Sequence, residues 1–557
     1  MVSEIKNDNF PKHVDITGKA NFIESSAGGA FEAVNHLDTH ILATQPNVGS
    51  ADSDLSGGTK REVDDRCIDA YQNDPYIRSA VSLHRDRIVG AQYMLNAVPN
   101  WEVLSEFFDP RFDEEWAKNF QREVEYKFNL YANSTENWVD YSRQNNLTEL
   151  LRMAVTNDQL HGEILVLPKW DNDKSRPYKT CFQFIDPARL ATPFFQRGKG
   201  LVRNGVVKDE NGKVKGYYIR RRHPKDIIDG QYFGNDVFDY TYVPVRKPNG
   251  RLQVIHLFEQ DRAGQSRGLS ALVSALREIG LIRKYRLIQL QNAAVQGTYA
   301  ATIESDLPAS AIYEIMGAES GDIGANLQEY IKSQLVAYNA FYGKGNHLTL
   351  DGVKTPILPP GSSLKLNPVG SGNPQNQDYD KGLQRGVSAA LGLSYEENAR
   401  DFSDMSYAAA QACFRSTNNY LSAKKATGAD RLASHFYDLW LGEQIMLGKI
   451  ESMPTRKFSY YETPLFKDCL SRSEWVGASD GMLDPLKEAQ ASRLVIDGKI
   501  GTFKDELAKK GKDYEKVFKQ IEREQALMEE LGFEIQKSDA VNAASGTERK
   551  VKELQDD

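Results

Sequence analysis

The spacing of apolar residues changes several times along the chain, and each change predicts an element. At NDPYIRSAVSLHRDRIVG, Asn73 and Asp74 occupy capping positions, Pro75 the first turn and Gly90 the end, so one helix is framed there. Ile77, Ala80, Val81, Ile88 and Val89 share its apolar face. Helical spacing returns at Glu114–Asn129 and Leu147–Gln159, and strand-like runs follow at Glu163–Pro168 and Cys181–Ile185. The turn DENG at Asp209–Gly212 separates VRNGVV from KVKGYYIRRR, as in a β-hairpin. A strand over Leu252–Phe258 and the loop DRAGQSRG then lead into a long helical segment, Leu269–Tyr299. There Leu269, Leu272, Val273, Leu276, Ile279, Ile282, Leu287 and Leu290 wrap more than one face, so this helix has to be covered on several sides. A core helix within one subunit and a helix packed between neighbouring subunits both meet that demand.

The second half is more broken. A mixed stretch over Glu304–Leu366 contains a predicted helix near Ala325–Tyr338, and GSGNPQNQ interrupts the chain before a shorter helix, Tyr379–Leu391. LSYEENARDFSDMS is polar and reads as a loop held between that helix and the next, SYAAAQACFRSTNNYLSAKK. Asp484–Leu531 is helical with breaks at Gly498–Gly501 and Gly511, and in its last helix Val517, Ile521 and Leu527 form only a thin stripe. At the two ends, SSAGG and NVGSADSDLSGGT mark a mobile arm over the first sixty residues, and a flexible tail is expected beyond Gln536.

Composition changes this picture in three ways. A chain of 557 residues and 62.6 kDa exceeds what one core usually supports, so more than one packed region is expected. The net charge of −8 argues against a surface that grips phosphates everywhere, yet it is compatible with a duplex sliding past. Cys67, Cys181, Cys413 and Cys469 form no CxxC pair, which excludes a zinc ribbon and a redox dithiol and fits a reducing compartment. The start lacks a basic, then apolar leader, and no uncharged apolar run reaches membrane-spanning length, so neither secretion nor a membrane partner is expected.

Candidate chemistry is sparse. Every Gly-Lys pair lacks a following Ser or Thr, so there is no Walker A loop, and no GxGxxG follows a strand. His161-Gly162-Glu163 matches half of a zinc-deaminase signature but has no PCxxC partner, and a helix-to-strand junction is the simpler reading. Ser422 to Lys425 satisfies SxxK without SDN or KTG, as a solvated helix end does by chance. Asp109, Asp113, Glu114 and Glu115 are of a type that holds Mg²⁺ in nucleases, although such a charged stretch ordinarily serves solvation. No catalytic residue, metal or cofactor is therefore assigned.

Several segments, in this order, resemble the portal family of lambda-type phages from about Gly49 to Gly532. They are SADSDL with NDPYIRSAV; IDPARLATP with VRNGVVKDENGKVKGYYIRRRHP; and VIHLFEQDRAGQSRGLSALVSAL, the best local match, with its turn at Gly264, Gln265, Arg267 and Gly268. LGLSYEENARDFSDMSYAAAQA and DGMLDPLKEAQASRLVIDGKIGTFKDELAKKGKDYEKVF complete the series. Departures lie in Ser305–Lys344 and the first forty-five residues.

The resemblance implies a mixed α+β portal fold with wing, long-helix stem, α/β clip and helical crown, assembled as a homododecameric ring. The expected segments are an arm (1–60), wing (61–265), stem helix (266–299), clip (300–372), second stem helix (373–392), channel loop (393–406), wing helix with return strands (407–480), crown (481–535) and tail (536–557). Implied partners are double-stranded DNA in the channel, the terminase large subunit and later head-completion or tail adaptor proteins at the clip, and the major capsid and scaffold proteins. The implied location is the capsid portal vertex of the virion, and the host cytoplasm during assembly. In this frame the loop residues Glu396, Glu397, Asn398, Arg400, Asp401 and Asp404 line a mostly acidic constriction in which Arg400 is the one cation able to contact phosphate; a solvated turn without DNA contact is the plain alternative. Arg277, Arg283, Lys284 and Arg286 on the stem either touch phosphates or pair with acidic neighbours at the subunit interface. The rival classes are another virion structural or adaptor subunit and a DNA-processing nuclease.

Overall fold

The computed structural model describes residues 49–196, 201–228, 231–232, 239–299, 347–350, 353–356, 374–403, 405–455, 457–479 and 485–531. Ser50 caps a one-turn helix α1 (Ala51–Asp54) and Ser56 caps α2 (Gly57–Asn73), which leads into α3 (Pro75–Ile88). Asp74 caps α3 by accepting from the N–H groups of Tyr76 and Ile77, whereas Asn73 is the last residue of α2. Residues 49–60, expected as part of a mobile arm, are instead helical and packed. Ala51, Leu55 and Thr59 are buried, Asp52 accepts from the Ser266 N–H at 2.7 Å, and Arg262 pairs with Asp54 at 2.6 Å. The small polar residues that suggest disorder here serve as helix caps, and the acids meet distant cations, Asp52 with Lys208 and Asp54 with Arg262, 156 and 208 residues away in sequence. The rest of the arm and the tail beyond 531 lie outside the described residues, as does the helix expected near Ala325–Tyr338.

Next come β1 (Met94–Ala97), α4 (Trp101–Phe107), α5 (Glu114–Ala132), α6 (Leu147–His161), β2 (Glu163–Trp170) and β3 (Thr180–Phe184). The expected single strand VRNGVV is two, β4 (Val202–Arg203) and β5 (Val206–Lys208), because Asn204 (φ 49°) and Gly205 (φ 85°) make the two-residue turn that left-handed backbone allows. Then follow β6 (Val214–Arg220), β7 (Ile227–Ile228), β8 (Gln231–Tyr232), β9 (Tyr240–Pro244) and β10 (Ile255–Phe258). Two antiparallel sheets, β10-β2-β3 and β4-β5-β6-β9, are joined by a shared core of Leu165, Leu167, Ile185, Leu190, Val206, Tyr217, Ile219 and Val254.

A 3-10 turn (Ala271–Ala275) precedes the long helix α7 (Leu276–Tyr299). The hairpin β11 (His347–Leu350) and β12 (Val353–Pro356) stands before α8 (Pro374–Ala390), which starts earlier than the Gly-rich break indicates because Pro374 is a favourable first-turn residue. The loop that follows holds a short helix, α9 (Tyr395–Ala399). α10 (Tyr407–Lys424) continues through a π-helical turn (Lys425–Asp430) into α11 (Arg431–Met446). α12 (Pro464–Leu470) and β13 (Ser473–Val476) return the chain to pair antiparallel with β1. α13 (Pro485–Asp497), α14 (Phe503–Lys509) and α15 (Tyr514–Glu530) end the described chain, broken at the expected glycines.

α11 is buried along most of its length and forms an apolar centre for the elements around it. Phe436 stacks on Phe182 of β3 at 3.7 Å between ring centres and 9° between planes, and the fully buried Trp440 meets Phe128 of α5 edge-on at 5.2 Å. Each such buried ring contributes about 1.5–3 kcal/mol of transfer free energy. The chain divides into two compact units, residues 280–383 and the remainder. Within residues 280–383, α7 and α8 meet through Tyr285 and Tyr379, 5.2 Å apart, and through Arg286 and Asp380.

Candidate channel loop and stem junction

The turn into α7 is anchored by buried charge. Glu163, the first residue of β2, is fully buried and takes Arg267 through Nε at 2.9 Å and Nη2 at 2.5 Å, His256 Nε2 at 3.0 Å and the Gly268 N–H at 3.1 Å. Arg267 spends its remaining donors on the carbonyls of Pro187, Leu190 and Asn204. Burial alone pushes the Glu163 carboxyl up, but the Arg267 and Lys60 charges and the bonds from His256 and Arg267 hold it well below the usual carboxylate range. Lys60, the nearest second cation at 3.6 Å, is itself bound to Asp64 and to the His161 carbonyl. His161-Gly162-Glu163 is thus a helix end, a left-handed cap (φ 72°) and a strand start. A Cβ on Gly162 would lie 2.1 Å from the carbonyl carbon of Leu269, and one on Gly268 would lie 1.9 Å from the Gly162 oxygen, so both glycines are required where the two backbones touch. Of the family turn, Gln265 and Arg267 are buried bracing groups, with Gln265 Oε1 accepting from the Asp261 and Arg262 N–H groups.

The six residues expected on the channel loop separate into two groups. Glu397 (5% exposed) and Asn398 (3% exposed) point into the protein. Glu397 accepts from Arg87 Nη2 at 2.9 Å, Ser394 Oγ at 2.8 Å and Thr417 Oγ1 at 2.5 Å, and Asn398 Nδ2 donates to Ser388 Oγ at 3.0 Å. They brace the loop and do not line its surface, which corrects the expectation for these two. Glu396 is half-buried, Arg400 is exposed with a left-handed φ of 56°, and Asp401 accepts from Ser403 Oγ at 2.6 Å; Asp404 lies outside the described residues. The pattern Ser394-x-x-Glu397 was the signal for α9, since a Ser followed three residues later by Glu starts a helix. Its partners Ser79, Arg87 and Thr417 come from distant elements and no local pattern marks them.

On α7, Arg277 and Lys284 are exposed while Arg283 and Arg286 are half-buried. Arg286 pairs with Asp380 of the same chain at 3.0 Å, so its acidic partner is internal. The other sequence motifs resolve into local structure. Asp113 caps α5, Asp109 binds Arg111 through Nε and Nη2, and Glu114 pairs with Lys118 one turn on. Lys425 of the SxxK match binds Asp430 at 2.9 Å and the Trp475 carbonyl at 2.9 Å within the π-helical turn. Among the described residues no group of acids, cysteines and histidines is placed to hold a metal ion.

Residues 39–423 match the family model described as phage portal protein, lambda family. The chain is 31% identical over 461 residues to the portal protein of Escherichia phage N15, covering 82% of this chain and 83% of that protein. It is 32% identical over 461 residues to portal protein B of Escherichia phage lambda, covering 82% of each. Among solved structures it resembles a chain from the neck of an empty gene transfer agent particle, with a TM-score of 0.39, 10% identity and coverage of 78% and 90% of the two chains. The class is therefore a structural, non-enzymatic component of a phage virion. Within that class, the chain belongs to the lambda family of phage portal proteins.

Proposed function

We propose that this chain forms the ring at one capsid vertex through which double-stranded DNA is packaged and ejected. The observation that carries the reading is α7. Leu281 and Ile288 are 40% and 39% exposed on the side of this 24-residue helix opposite the buried Ile279, and Leu287 and Leu290 further along it are 52% and 70% exposed. A helix apolar on two flanks is what packing between neighbouring subunits of a ring requires. In this reading α7 and α8 are the stem, residues 300–372 the clip and α13 to α15 the crown. The loop 393–406 then faces the channel, with Arg400 as its phosphate-contacting cation. The clip docks the terminase large subunit during packaging and the head-completion or tail adaptor proteins afterwards, and the outer wing meets the capsid and scaffold proteins.

Native mass spectrometry of the purified chain tests this directly. The expected species is a closed ring near 751 kDa, twelve times 62.6 kDa, or a neighbouring ring size, with a central hole in particle images. A chain that stays monomeric or dimeric at high concentration sinks the ring reading and returns weight to an adaptor subunit.

A further inference from the structure

Glu397 is the most constrained acid of the loop among the described residues. Its three hydrogen-bond donors come from three elements: Arg87 of α3, Thr417 of α10 and Ser394 at the cap of α9. Arg87 is itself held, since its Nη1 donates to Asn418 Oδ1 at 2.8 Å and its guanidinium lies 5.5 Å from the centre of the Phe414 ring. A second tether adjoins the first, because the Asn398 carbonyl accepts from Ser79 Oγ at 2.9 Å while its amide donates to Ser388 of α8. α9 is thereby fixed to α3, α8 and α10. Directly after it the chain turns left-handed at Arg400, and Arg400, Phe402 and Ser403 stand in solvent.

We propose that Glu397 is the positioning residue of this loop: by clamping α9 to α3 and α10 it fixes the direction in which Arg400 leaves the helix and confines motion in this part of the loop to residues 400–403. A buried carboxylate suits this role because a charged acceptor makes stronger hydrogen bonds than a neutral one and each bond has its own direction. Arg400 then meets a passing duplex as a cation of fixed position rather than on a freely moving tether. The phosphate part of this inference rests on the channel reading of the loop, and the clamp does not.

The full-length chain with Cys413→Ser carries a nitroxide at Ser403→Cys, with a reference label at the exposed Thr135→Cys; the remaining cysteines are buried. In Glu397→Gln and in Arg87→Gln the label at 403 is expected to move about twofold faster or more, the double variant no faster than the faster single one, and the reference label unchanged. Unchanged mobility at 403 overturns the clamp. If Glu397→Gln does not fold, Thr417→Val removes one donor and is read in the same way. Binding of a duplex of about 30 base pairs is then followed against salt, where Arg400→Gln should flatten the slope by about 0.9 per lost phosphate contact and Glu397→Gln by a smaller amount. A slope that Arg400→Gln leaves unchanged overturns the phosphate role and with it the channel reading of the loop, whereas the mobility result still decides the clamp.

Discussion

Single residues here act mainly through buried charge. Removing Arg267 leaves Glu163 in the interior with one cation, Lys60, at 3.6 Å and the bonds from His256 and the Gly268 N–H. Arg267→Met should therefore cost about 3–5 kcal/mol in urea unfolding, and combining it with Glu163→Gln should cost clearly less than the two single changes together. Glu125 behaves in the opposite sense. Burial raises its pKa to about 7, the bonds from Gln121 and the Ala97 N–H oppose this, and the charges of Asp513 and Glu515 add to the rise. Because the folded value lies above the unfolded one near 4.5, its contribution to stability is complete below about 4.5 and is lost as pH rises through about 7. Glu125→Gln should thus raise the melting temperature most at pH 8, with the gain over wild type shrinking towards pH 5, a change on the order of 2 kcal/mol. A gain that does not depend on pH rules out titration of Glu125 as its source.

At the scale of elements, the contact of the α6 end with Gly268 and Leu269 fixes the chain's approach to the 3-10 turn. Gly268→Ala places a methyl group against the Gly162 carbonyl, so the backbones must separate and the Glu163 carboxylate loses its bond from the Gly268 N–H. Hydrogen exchange of β2 and of residues 265–275 should accelerate together in this variant, whereas Gly280→Ala, where an added Cβ meets nothing within 4 Å, should leave both slow. The sequence made the helices legible wherever one face alone is apolar: Ile77, Ala80, Val81, Ile88 and Val89 are all buried at α3, and α5 and α6 stand where the spacing is helical. It failed at α1, at the first turn of α2 and at α9, each of which is entered through a Ser cap from a run of small or polar residues. Those residues cap helices as readily as they fill loops, and only the tertiary partners of Asp52, Asp54, Glu397 and Asn398 decide between the two.

For the whole molecule, assembly should be separable from folding. Leu287 and Leu290 are 52% and 70% exposed in the chain, so Leu287→Glu with Leu290→Glu should leave the melting temperature of the isolated subunit close to wild type while abolishing the ring in native mass spectra. A ring that persists with both changes would show that α7 does not carry the subunit contact.

The ordered series of family segments, the mixed α+β architecture and the lack of a nucleotide-binding motif were all determined by sequence, because they depend on residue type and spacing along one dimension. The candidate site was only half legible. Exposed Arg400 follows from its place in a polar segment, but the inward turn of Glu397 and Asn398 depends on donors from α3 and α10 and an acceptor on α8, up to 319 residues away in the chain. The same holds for Arg267 and Glu163, 104 residues apart: each is an ordinary surface type until folding removes both from water and leaves them no partner but each other and the groups around them.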